Sequence, residues 1–213
     1  MTEQKQYTGI TAPIQRWLGG VTEKDITKGA LIVLLEGIFA GGAAYSAASM
    51  ITLPVAGLAG TVQAIAAVSG IVMTLLVWVV SSLIFHGVAH LLGGRGNRNR
   101  MFALAGYASV PQLIQQLIRF VSYWFLGQTA TTSGTGIIEL LLQYFNVFSI
   151  IGLVLMSLAI MTNYKLPGKK AILVALIPSF IGLAFGFAAL AMVRSTASTS
   201  TASIGLFRRS TSG

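Results

Sequence analysis

Residues 62–92 read VQAIAAVSGIVMTLLVWVVSSLIFHGVAHLL, a run without a single Asp, Glu, Lys or Arg. At 1.5 Å per helical residue it is longer than the ~30 Å of hydrocarbon that a membrane span must cross, so it must tilt or protrude. The rest of the chain agrees with it. Of 213 residues 54% are hydrophobic and 9% charged, with 14 Lys or Arg against 5 Asp or Glu, and mean hydropathy is +0.79. A soluble domain carries about 25% charged residues; this composition exceeds what one water-soluble core could bury and defines an all-α polytopic membrane protein. The +9 formal charge does not point to nucleic acid, because the basic residues lie between the apolar runs instead of gathering on one solvated face. The absence of cysteine excludes disulfides, thiolate metal sites and cysteine nucleophiles.

Outward from that run, four more spans are expected: Gly29–Ile51, with Glu36 its only charge; Met101–Leu126, the most polar, with Gln112, Gln115, Gln116, Arg119 and Pro111; Ile137–Met161; and Ala171–Val193, interrupted by Pro178. Residues 1–28 lack a signal-peptide core, so they are expected to stay on the protein as a cytoplasmic segment. There Ile10, Ile14, Trp17, Leu18 and Val21 recur at helical spacing, predicting a short interfacial helix anchored by Trp17 with Pro13 in its first turn, and Thr22 to Asp25 has capping-box form. Residues 29–193 make the membrane domain, and the Ser/Thr-rich tail 194–213 is expected to be disordered.

Basic residues orient the spans. Lys5, Arg16, Lys24 and Lys28 precede the first, Arg95, Arg98 and Arg100 follow the second, and Lys165, Lys169 and Lys170 follow the fourth, while the first and third loops hold none. The N-terminus is therefore expected in the cytoplasm and the C-terminus across the membrane, against the weak contrary vote of Arg194, Arg208 and Arg209.

Ionisable groups inside spans are functional candidates by default. Counted from the span ends, Glu36 and His86 fall at similar depth, with His90 one turn away on the same face as His86. The three could meet as metal ligands, although a buried imidazole satisfying a carboxyl or carbonyl is the commoner arrangement and no bound metal is expected. By the same counting Arg119 and Glu139 fall level near the outer face and could pair. Gln112, Gln115, Gln116, Gln143 and Asn146 could line an aqueous path or join helices by hydrogen bonds. Gly37 to Gly41 and Gly182 to Gly186 are G-x-x-x-G spacings for close helix packing. No P-loop, H-E-x-x-H or G-x-S-x-G occurs, so neither catalysis nor a cofactor is expected.

Gly93-Gly94 and the Arg-rich loop, followed by Ala105-Gly106-Tyr107-Ala108-Ser109-Val110-Pro111, resemble the Yip domain of Ypt/Rab-GTPase-interacting membrane proteins, whose third helix opens with a Tyr-Ala-x-x-Pro-like element. The stretch Asn163-Tyr164-Lys165-Leu166-Pro167-Gly168-Lys169-Lys170-Ala171 with Pro178 is similar to that domain's fourth-to-fifth helix connection. The resemblance spans about Ala12 to Val193 and implies five spans with a cytoplasmic N-terminus. Eukaryotic relatives act in early secretory trafficking, shape membranes and bind Rab-type GTPases through a long N-terminal region; the short segment here is closer to the compact bacterial or archaeal type. The expected role is a non-catalytic scaffold recruiting a protein partner or anionic headgroups through Arg95, Arg98, Arg100, Lys165, Lys169 and Lys170. The alternative is a small-solute or ion transporter using the intramembrane Glu, His and Gln residues; a metal-dependent intramembrane enzyme is the third class. Oligomeric state is not legible in the sequence.

Overall fold

The computed structural model describes residues 11–49, 58–125 and 146–210. Among these every regular element is helical: α1 (Ala12–Gly20), a single 3-10 turn (Glu23–Asp25), α2 (Ile26–Ser49), α3 (Leu58–Leu91), α4 (Arg98–Ala108), α5 (Val110–Phe125), α6 (Val147–Tyr164) and α7 (Gly168–Ser210). The expected Pro13 and capping box open the chain: Pro13 sits in the first turn of α1, and at the 3-10 turn Asp25 Oδ2 accepts from both the N–H and the hydroxyl of Thr22 at 2.9 Å. A Lys28–Asp25 ion pair of 2.8 Å on the surface completes the turn.

Small residues set how α2 lies on its neighbours. Gly37 faces Ile71 and Thr74, and Gly41 lies against Ala67 and Gly70, where a Cβ on Gly70 would come within 2.8 Å of the Gly41 Cα. Descending partner numbers against ascending ones make α2 and α3 antiparallel, with the first G-x-x-x-G used inside the chain. On another face α2 runs parallel to α4 and α5. Gly29 touches Ala103 and Gly106 near one end, and the Phe120 ring covers Gly42 and lies 5.7 Å from the Phe39 ring near the other.

Four helices among the described residues are long and apolar enough to cross a membrane, Glu23–Ser49, Leu58–Leu91, Val147–Tyr164 and Gly168–Ala188. The expected continuous helix Met101–Leu126 is instead two, broken at Ser109. Pro111 has no N–H for the Tyr107 carbonyl and disfavours helical backbone before it, and the Ser109 hydroxyl turns back onto the Gly106 carbonyl at 3.0 Å. The pieces have 11 and 16 residues, about 17 and 24 Å at 1.5 Å per residue, so neither spans ~30 Å alone. The expected start of the fourth span at Ile137, like Glu139 and Gln143, lies outside the described residues. The backbone of α7 continues helical past Val193 to Ser210, through most of the segment expected to be a disordered tail.

Packing is concentrated toward one end. Phe85, Met101, Ile160, Tyr164 and Val174 close a core between α3, α4, α6 and α7, and Leu18, Val21, Leu104 and Leu158 close a second that fastens α1 to α4 and α6. The apolar face of α1 is thus largely used against protein, while Trp17 stays 48% exposed with its ring edge-on to Tyr107. Outside these cores Leu76, Val80, Leu83, Ile172, Leu173 and Phe180 are exposed along α3 and α7. In water such a surface would aggregate; in hydrocarbon it is the solvated face.

Candidate functional site

Chemistry-bearing side chains collect in three places. At the first, the loops carrying the basic residues are knitted into one end of the bundle. Asn97 N–H donates to Asn163 Oδ1 at 3.3 Å while Asn163 Nδ2 donates to the Asn97 carbonyl at 2.9 Å, and Arg95 N–H donates to the Tyr164 carbonyl at 3.3 Å. Asn97 Nδ2 also reaches Glu23 at 2.6 Å. Two of the six expected binding residues are occupied in this work. Arg100 donates from Nε to the Val21 carbonyl at 2.8 Å and from Nη2 to the Gly19 carbonyl at 3.0 Å, tying down the end of α1, and Lys170 Nζ donates to the Leu92 carbonyl at 3.1 Å at the end of α3. A guanidinium satisfying two carbonyls on a helix C-terminus is a fixed structural part. Arg95, Arg98, Lys165 and Lys169 are exposed, with no side-chain hydrogen bond or ion pair among the described residues.

Just beneath lies an aromatic cluster. His86 Nδ1 is 2.7 Å from the Tyr164 hydroxyl, the two histidine rings meet edge-on at 4.6 Å, and Tyr164, 1% exposed, lies 6.0 Å from His90. Tyr164 fits there because Gly94 and Gly96 leave room. A Cβ on Gly96 would fall 2.5 Å from its ring. The sequence places His86 and His90 on one face correctly, but their partner is Tyr164, not Glu36. Among the described residues no three His, Cys, Asp or Glu side chains come together to hold a metal ion, so the weaker alternative, in which Glu36, His86 and His90 meet as ligands, does not find its geometry. The reason is register: the contacts of Gly37 and Gly41 put Glu36 level with Thr74, and His86 is twelve residues farther along α3, about 18 Å nearer the basic end.

Glu36 belongs to the third place, a cavity of about 520 Å³ at the centre of the bundle, into which every helix from α2 to α7 contributes. Its polar lining is Glu36 of α2, Thr74 and Ser81 of α3, Ser109 and Gln112 at the α4–α5 break, and Ser149 and Ser179 beyond. Glu36 meets the Ser109 hydroxyl. Gln112 lies on the backbone of Gly152, where any Cβ would strike its amide, and its Oε1 is buried with no hydrogen-bond partner. Trp78 forms a fixed wall, donating from Nε1 to the Phe102 carbonyl at 3.3 Å and standing edge-on to the Phe102 ring. Of the amides expected to line a path, Gln112 faces this cavity. Arg119 is half-buried on α5 without an ion pair among the described residues, and its expected partner Glu139 lies outside them.

Two features were not legible in the sequence: Tyr164 as the partner of the histidines, and the use of Arg100 to cap α1. The Asn163-Tyr164 pair at a helix end was the available signal for the first, and nothing local marks the second.

Apolar flanks around a sparsely polar centre, with the fixed charges at one end, define an integral, multi-pass helical membrane protein. A family model described as the Yip1 domain matches residues 10–190. The chain belongs to that family. The resemblance motif occupies the α2–α4 contact: Gly106 lies on Gly29, Tyr107 carries Trp17, and Pro111 is buried at the helix break. No curated protein matches the chain, and no solved structure matches it.

Proposed function

We propose that the chain is a non-catalytic Yip1-type membrane scaffold that gathers anionic lipid headgroups at its basic end. In this reading it crosses five times, with α4 and α5 as one broken crossing and the N-terminus in the cytoplasm. The broken crossing is supported by contacts that follow α2 from Gly29 to Gly42, and the orientation by the basic residues. The observation that carries the function is the set of four exposed cations without an ion pair among the described residues, Arg95, Arg98, Lys165 and Lys169, at two helix connections held together by the Asn97–Asn163 hydrogen bonds. Cations fixed by a shared loop framework meet headgroups at less entropic cost than cations on free chains.

Each basic residue near an anionic surface contributes ~1 kcal/mol, so neutralising all four to Gln should weaken phosphatidylglycerol binding to the detergent-solubilised protein by on the order of several hundredfold, less at high salt. Arg100→Gln should instead loosen α1, seen as faster amide exchange in residues 12–20, with little loss of lipid. Undiminished binding by the quadruple variant would refute the proposal.

Passage of a small solute draws on the cavity as a second reading. Against it, His86 and His90 stand apart from Glu36 and Gln112, so the polar residues do not form one path. Proteoliposome flux separates the two readings.

A further inference from the structure

The basic end leaves the central cavity without a role. Glu36 is the one ionisable side chain lining it, and no cationic side chain pairs with it among the described residues. An unpaired carboxylate at this depth is costly and calls for a counter-charge. The Ser109 hydroxyl lies beside the Glu36 carboxyl and also within reach of the Gly106 carbonyl.

A bare metal ion does not fit this space. Hard cations want six or more oxygens at about 2.0–2.6 Å, whereas about 520 Å³ walled by Val33, Trp78, Phe85, Leu153 and Met156 is the size and character of an organic ligand's pocket. The way in is lateral. Met73 and Val77 line the cavity yet are 57% and 56% exposed on α3, and Ser179 lines it while exposed on α7, next to the Pro178 interruption. The mouth thus lies between α3 and α7 on the lipid-facing side.

We propose that this cavity binds a lipophilic amine entering from the bilayer, its ammonium set against the Glu36 carboxylate and its apolar body lying along Trp78 toward the α3–α7 mouth. An ammonium brings both hydrogen-bond donors and the counter-charge that a carboxylate without a cationic partner takes, and the Trp78 ring supplies a surface that favours a nearby cation.

The test uses the full chain in phosphatidylcholine nanodiscs with Trp17→Phe and Trp124→Phe, leaving Trp78 as the sole tryptophan. An ω-brominated dodecylamine quenches indole on contact, and the matching bromo-alcohol is the uncharged control. Saturable quenching of Trp78 by the amine is expected at mole fractions at least about tenfold below the alcohol, with Glu36→Gln removing that advantage. Ser179→Phe should abolish the saturable phase by filling the mouth while Glu36 remains. Equal quenching by amine and alcohol, or a folded Glu36→Gln variant that binds as wild type does, would overturn the proposal. So would displacement of the amine by millimolar sodium chloride with the same Glu36 dependence, which would assign the site to the bare ion.

Discussion

Gly106→Ala tests the contact on which the bundle is registered. A Cβ at residue 106 would land on the Gly29 backbone, and the reciprocal Cβ on Gly29 would lie 2.8 Å from the Ala103 carbonyl oxygen and 3.1 Å from its Cα. Backbone stands on both sides, so no side chain can swing away. With ordinary carbon contacts at about 3.5–4.0 Å, α2 and α4 must part by roughly 1 Å. Over-packing costs about 1–3 kcal/mol, and two rigid helices put this case at the upper end; the alanine returns close to 1 kcal/mol of helix propensity. The net expectation is a loss of about 2 kcal/mol. Gly87→Ala is the control, since Gly87 lies within α3 with nothing inside 4 Å of its would-be Cβ, and it should gain up to about 1 kcal/mol. Reversible unfolding in mixed micelles titrated with SDS, followed by far-ultraviolet circular dichroism, measures both. A separation near 3 kcal/mol means more than a hundredfold between the two unfolding constants. If Gly106→Ala matches or exceeds wild-type stability, the close α2–α4 approach is wrong, and with it the placement of Glu36 beside Ser109.

Topology is open to thiol chemistry because the chain has no cysteine. Single cysteines at Asn99 and Leu58, both exposed and at opposite ends of the bundle, should react with an impermeant reagent from opposite sides, and labelling of both from one side would refute the proposed orientation. At Tyr164, Phe removes the 2.7 Å contact with His86 but keeps the ring, for an expected loss of about 1 kcal/mol. Ala should cost about 3–5 kcal/mol by emptying a site closed by Gly94 and Gly96. Similar losses in the same unfolding assay would mean that the hydrogen bond, not the packing, holds that corner.

The sequence by itself determined what depends on composition and local spacing. Long uncharged runs require lipid as solvent, Thr22 and Asp25 cap a turn from three residues apart, and the resemblance carried by Tyr107 to Pro111 agrees with the family matched over residues 10–190. Pro111 was visible too, but whether it kinks or divides a helix depends on whether a neighbour occupies the break, and here Ser109 and the cavity do. What only the tertiary structure decided is register. Depth counted from span ends assumes that neighbouring helices start level, yet the 34-residue α3 overshoots the 24-residue α2, and the Gly37–Ile71 and Gly41–Gly70 contacts fix how far. That offset carries His86 and His90 to Tyr164 and leaves Glu36 facing Ser109 in the cavity. Loop charges follow the same logic: Arg95 and Arg100 look alike in sequence, but only Arg100 lies where the carbonyls ending α1 arrive. Such meetings are set by packing between segments far apart in the chain, and no local pattern encodes them.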